Sequence, residues 1–148
     1  MLKLYATLLT CLLSAGMLLA QQPQPSVFQL NGAAIKGYDA VAYHLEGKAI
    51  SGKPAHSVTW NNAIWHFSSE KNKEAFAKTP EKYAPQYGGY CAYGASRNYK
   101  APTDPNAWTI VEGKLYLNYS ARVKEGWLPE KEKNIAKADS NWIKLEKQ

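Results

Sequence analysis

Cysteine is scarce in this chain, with two residues in 148, Cys11 and Cys91, and histidine is limited to His44, His56 and His66. No C-x-x-C or H-x-x-H spacing occurs. A metal site legible from ligand spacing is thereby excluded, and any such site has to be assembled in space. Walker, nucleotide-binding Gly-rich and serine-triad patterns are absent as well. Asp39 and Asp104 stand alone as carboxylates, with no partner in sequence for acid–base work. No heptad and no internal repeat is visible. Phenylalanine is also sparse, with 3 against 10 Tyr and 5 Trp. The apolar bulk is therefore carried by rings with polar tips. Such rings serve a small core that must gain much burial from few residues, or an aromatic-lined binding surface.

Long apolar runs are confined to the N-terminus. Residues 1–26, "MLKLYATLLTCLLSAGMLLAQQPQPS", place one Lys before an apolar run and a Gln/Pro segment after it. This is the layout of a secretory signal peptide. The run is at the short limit for a membrane span, so cleavage after Ala20 is expected, with cleavage after Gly16 or retention as an anchor as alternatives. A lipoprotein reading would use Cys11, but the apolar run continues past it. Removal of residues 1–20 takes away Lys3 and no acid, so the formal charge of +6 becomes +5. It also takes away Met17 and Cys11. Cys91 is then the single thiol of an exported, periplasmic or secreted protein, and an internal disulfide is impossible. The lysines are interleaved with acids along the chain. They suit solvated helix faces and not a nucleic-acid footprint, and the membrane is met only through the signal sequence.

Residues 21–27 read as a mobile Gln/Pro linker, with structure starting near Phe28. "DAVAYHL" reads as a strand. In "HSVTWNNAIWHFS", two β-rich runs flank Asn61-Asn62, which predicts a two-residue type I′ hairpin. Its register pairs Trp60 with Ala63, Val58 with Trp65, Ser57 with His66 and His56 with Phe67. Val58, Trp60, Ala63, Trp65 and Phe67 share the core face, with His56 at its rim and His66 on the polar face. Ser68 or Ser69 caps a following helix. Thr79-Pro80-Glu81 starts another, which Gly88-Gly89 stops after Tyr87. "SRNYKAPTDPNA" is a loop, "WTIVEGKLYLN" a second hairpin turning at Gly113, and the polar C-terminal segment a helix broken at Pro129. The sum is an α+β fold: one small antiparallel sheet of about four or five strands with helices packed against it.

These stretches carry a family resemblance. "GYDAVAYHLEGKAISGKPAHSVTWNNAIWHFSSEKNKEAFAKTPEKYAPQYGGYCAYG", with "DPNAWTIVEGKLYLNYS" and "ADSNWIKLEK", resembles a YHS domain in its longer, exported form. The resemblance covers residues 28–148. It implies a metal-binding module, since short YHS domains accompany heavy-metal ATPases and certain oxygenases. That short form is similar to YYFCSxxCxxxF. Here the matching stretch is "WHFSSEKNKEAF", with Ser68 and Asn72 where the two cysteines would be. Neither is a good soft-metal ligand.

Cys91 lies in "YGGYCAYG", and three roles are open for it: a small buried hydrophobe in a glycine turn, a metal thiolate, or a reactive thiol. A helix C-terminus just before it would disfavour a thiolate. The expected function is a binding module and not an enzyme. It would hold copper or zinc through Cys91 with His66, His56 or His44, and Asp39 or water would complete the shell. The partner would be the metal ion or a metal-handling protein. The alternatives are a thiol-based redox protein using Cys91, and a metal-free module contacting a protein or small ligand. Tyr90 and Tyr93 are the candidate pocket residues.

Overall fold

A computed structural model describes residues 22–148. The expected signal segment, with Cys11, Met17 and both cleavage positions, lies outside the described residues. In chain order the elements are β1 (Gln29–Leu30), β2 (Ala33–Ala34), a 3₁₀ turn at Ile35–Gly37, α1 (Ala40–Leu45), β3 (Lys53–Trp60) and β4 (Ala63–Phe67). There follow α2 (Glu70–Lys78), α3 (Pro80–Tyr83), a second turn at Gln86–Gly89, α4 (Ala92–Ser96), β5 (Asp104–Val111) and β6 (Lys114–Asn118). The chain closes with α5 (Ala121–Trp127), a 3₁₀ turn at Leu128–Glu130 and α6 (Lys131–Leu145).

The fold is α+β, but its strands do not form one sheet. Among the described residues they form three separate two-stranded antiparallel sheets, β1–β2, β3–β4 and β5–β6. The long strands β3 and β5 each carry a proline near the start, Pro54 and Pro105, at a shift of register. Proline has no N–H to give a further ladder, which suits an edge strand. The hairpins are joined by side chains instead. Trp65 and Phe67 of β4, Leu115 and Leu117 of β6, Val41 and Tyr43 of α1 and Phe76 of α2 share one buried core.

The Asn61-Asn62 turn forms as the sequence predicts, with φ of 52° and 58°. It pairs Trp60 with Ala63, Val58 with Trp65 and Ser57 with His66. His56 does not face Phe67, because the shift between Lys53 and Ser57 brings Lys53 there instead. "AVAYHL" is helix and not strand: Asp39 caps it by accepting from the Val41 and Ala42 amides. A short apolar run does not distinguish the two states, and the cap decided it. Helix α3 ends at Tyr83, earlier than expected. Tyr87, Gly88 and Gly89 then take φ of 58°, 60° and 82°, a left-handed run that breaks any helix. Residues 24–27 are docked and not loose. The Gln24 amide donates to the Gln148 carbonyl, Tyr90 Oη donates to the Pro25 carbonyl, and Val27 is buried.

The structure also holds an internal repeat that the sequence hides. Ile35, Lys36 and Gly37 are left-handed in succession, as are Tyr87, Gly88 and Gly89. Each run leads into a Gly-Tyr-X-Ala stretch whose third residue, Asp39 or Cys91, caps a short helix through its side chain. The amides of these caps donate to the carbonyls of Ile50 and Ala101. A hairpin with a proline-bearing first strand and a two-residue left-handed turn follows in each copy. Last comes a helix capped by Ser69 or Ser120, with a fully buried ring, Phe76 or Trp127. The second copy trails the first by 51 or 52 positions throughout. Helix α3 stands 51 positions before the first turn of α6, but α6 runs on to Leu145 and packs on the second copy, where Ala138 and Leu145 join Trp127 and Tyr116.

Candidate functional site

Cys91 is the N-cap of α4. It does not follow a helix end. It is 2% exposed, its thiol donates to Asn118 Oδ1 at 3.5 Å, and its sulfur accepts from the Gly94 amide at 3.4 Å. The same Asn118 oxygen accepts from the Tyr93 amide. Cys91 thus holds the place in the second copy that Asp39 holds in the first, and its neighbours are those of a capping side chain.

The three histidines are engaged elsewhere. His56 Nδ1 lies 3.0 Å from Glu70 Oε2, and this contact holds the Glu70 carboxyl below its usual range. His44 Nε2 meets the Tyr83 carbonyl at 3.2 Å, and burial lowers its pKa from the ordinary imidazole value. His66 borders a small hollow with Gly37 and Gly52. Among the described residues, no three of His, Cys, Asp and Glu gather where they could hold a metal ion. As arranged, Cys91, His66, His56 and His44 do not fit a shared copper or zinc site.

Ser68 and Asn72 converge on Asp39. Its Oδ2 accepts from the Ser68 amide and hydroxyl at 2.8 and 2.7 Å and from Asn72 Nδ2 at 2.8 Å. With the two amides at Oδ1, the carboxylate accepts five hydrogen bonds and is fully buried. The carboxylate is a satisfied polar anchor between α1 and α2.

The expected pocket tyrosines are also occupied. Tyr90 packs on Phe28 and Trp142, with Lys100 Nζ 5.3 Å from its ring centre. Tyr93 is covered by the Arg97 guanidinium, which lies 4.4 Å from its ring and donates to its hydroxyl. Tyr90 borders a shallow hollow of about 210 Å³ with Phe28 and Lys100, and Tyr93 lies outside it.

Another opening lies where the two copies meet. A half-open cleft of about 310 Å³ is bounded by the tip of the first hairpin, the left-handed turn at Tyr87-Gly88, and α6. Its aromatic walls are Trp60, Trp65, Tyr87 and Trp142, and its charged groups are Glu81, Asp139 and Glu146. No Lys, Arg or His is among the described residues that line it, although the chain as a whole has a formal charge of +6. Trp65 is pinned by donation from Nε1 to the Trp60 carbonyl at 3.0 Å, and both indoles pack against Phe76. Tyr87 Oη donates to Asp139 Oδ1 at 2.9 Å, which orients the carboxylate. Burial, then that hydrogen bond, pushes the Tyr87 pKa well above the ordinary phenol value, so the donor keeps its proton. Sequence reasoning placed the ligand at Tyr90 and Tyr93. The tryptophan excess was the signal for this cleft, but no spacing links Trp60 to Trp142. Compared with known proteins, the chain matches no protein-family model, no curated protein and no solved structure.

Proposed function

We propose that this chain, read from its sequence as an exported protein resembling the YHS family, is a binding module that takes a small organic ligand. The cleft at the junction of the two copies carries this reading. Its volume of about 310 Å³ lies at the lower end of the range for small-molecule sites. Rigid aromatic walls with a few convergent polar groups are the usual composition of such sites. The walls are also held in place before any ligand arrives, by the Trp65–Trp60 and Tyr87–Asp139 hydrogen bonds. Preorganisation of this kind lowers the cost of binding.

The metal reading through Cys91 rests on the family resemblance alone, and the redox reading meets a thiol that is 2% exposed. One experiment sets the metal reading against the organic-ligand reading. Backbone and indole N–H signals of the protein are followed by NMR during titration with small cationic, neutral and anionic organic compounds, and separately with copper and zinc. Saturable shifts at Trp60, Tyr87 and Trp142 with an organic compound are expected. Absence of any such shift would overturn the reading, and stoichiometric shifts centred on Cys91 with copper or zinc only would overturn it in favour of a metal module.

A further inference from the structure

We infer that the ligand of this cleft is a small free organic cation, an ammonium or quaternary ammonium compound. This rests on the binding reading above and narrows it to one chemical class. Three observations carry it independently of one another.

The first is the sign of the charge. Every charged group at the cleft is a carboxylate, Glu81, Asp139 and Glu146, in a chain that is otherwise net basic. A phosphate or carboxylate ligand would enter against three negative groups, whereas a cation is drawn in. The second is the nature of the walls. Trp60 and Trp142, both half-buried, line the cleft, and indole is the strongest side-chain partner for a cation held over a ring face. The chain itself already places a cation beside one of these rings. Lys100 Nζ, which lies outside the cleft, sits 5.7 Å from the Trp142 ring centre and 5.3 Å from that of Tyr90. The third is the fixed direction of one carboxylate. Tyr87 Oη occupies Asp139 Oδ1, and Asp139 Oδ2 appears in no hydrogen bond or ion pair within the described residues. A cation over the tryptophans would meet a carboxylate that already has its orientation. A volume of about 310 Å³ suits a compact ammonium compound and not a folded partner, so a free small molecule is the occupant.

The probes are choline, its neutral isostere 3,3-dimethylbutan-1-ol, and the carboxylate 3,3-dimethylbutanoate, each titrated into the purified protein and followed by tryptophan fluorescence and NMR. Choline is expected to bind saturably, at least about tenfold more tightly than the neutral isostere, with no binding of the carboxylate. Asp139→Asn keeps an acceptor for Tyr87, so it preserves the fold. It should weaken choline severalfold and leave the alcohol unchanged. Glu81→Gln, on a different element, provides a second test should the first variant unfold. Equal or tighter binding of the alcohol or the carboxylate would overturn the inference, as would choline shifts that map away from Trp60 and Trp142. If other organic compounds bind the cleft while choline does not, the cation inference falls and the binding module stands. If nothing binds, both fall.

Discussion

At the scale of single residues, Asp39 and Cys91 do the same job with different chemistry. Each caps a short helix and each reaches the end of the hairpin that follows it, Asp39 to Ser68 and Cys91 to Asn118. The difference lies in what depends on them. Asp39 satisfies five donors in a fully buried place. Asp39→Ala would leave those donors without an acceptor, and a loss of about 3 kcal/mol or more is expected. Cys91→Ser supplies a hydroxyl, which is a good N-cap, and should change stability by less than about 1 kcal/mol. Chemical denaturation of both variants checks the pair. A larger loss for Cys91→Ser than for Asp39→Ala would refute the equivalence of the two caps. Read one at a time, the two residues showed only isolation, a lone carboxylate and a lone thiol. That they are counterparts follows from the left-handed runs before them and the helices they cap, and the Gly-Tyr-X-Ala stretch they share is its trace in the sequence.

At the scale of elements, the turn at Gln86–Gly89 decides where both the N-terminal segment and the cleft lie. Gly88 has φ of 60°, and a Cβ there would collide with the Ser26 carbonyl and crowd Val27. The Phe28 amide donates to the Gly88 carbonyl at 2.9 Å. Close approach of two backbones and a left-handed conformation both require glycine here. Gly88→Ala is expected to destabilise by more than about 2 kcal/mol and to release residues 24–27, seen as faster amide exchange at Phe28. Unchanged stability would show that the turn can relax. The sequence reading stopped the helix at Gly88-Gly89, but α3 already ends at Tyr83, where Ala84 ahead of Pro85 is extended. The turn that follows was not legible, because Tyr87 adopts a left-handed φ that few non-glycine residues take and that the surrounding packing must enforce.

At the scale of the whole molecule, stability depends on large rings whose hydroxyls are out of water. Burial pushes the Tyr116 pKa up to about 12, and it raises those of Tyr43 and Tyr87 further, with Asp139 adding to the effect at Tyr87. In the unfolded chain these phenols release their protons near the ordinary value of about 10. Above that pH the folded state binds more protons than the unfolded one, so stability falls as pH rises. The contribution is therefore fully present below about pH 10 and is lost progressively toward pH 12. Urea midpoints should drop above pH 10, and phenolate absorbance from these tyrosines should appear together with unfolding. Phenolate formation by all tyrosines in a folded protein near pH 10 would contradict their burial.

The sequence by itself determined what short-range physics controls. The Asn61-Asn62 turn and the alternation around it set the hairpin register and its buried face. Serine at 69 and 120 set where two helices begin, and Pro129 where the last breaks. These depend on the few residues within one turn or one ladder. Only the tertiary structure decided what depends on residues far apart in the chain. It kept the three hairpins as separate sheets, because Pro54 and Pro105 mark strands suited to edges and the hairpins meet through side chains. It revealed the repeat, because the two copies share backbone shape but residues only at scattered positions, such as Gly-Tyr-X-Ala, the strand proline and the capping serine. It placed Cys91 beside Asn118, with no metal-holding group of His, Cys, Asp and Glu among the described residues, and it brought Trp60 and Trp142 to one cleft. Side chains separated by dozens of residues become neighbours only when the intervening elements pack, and no local pattern encodes that meeting.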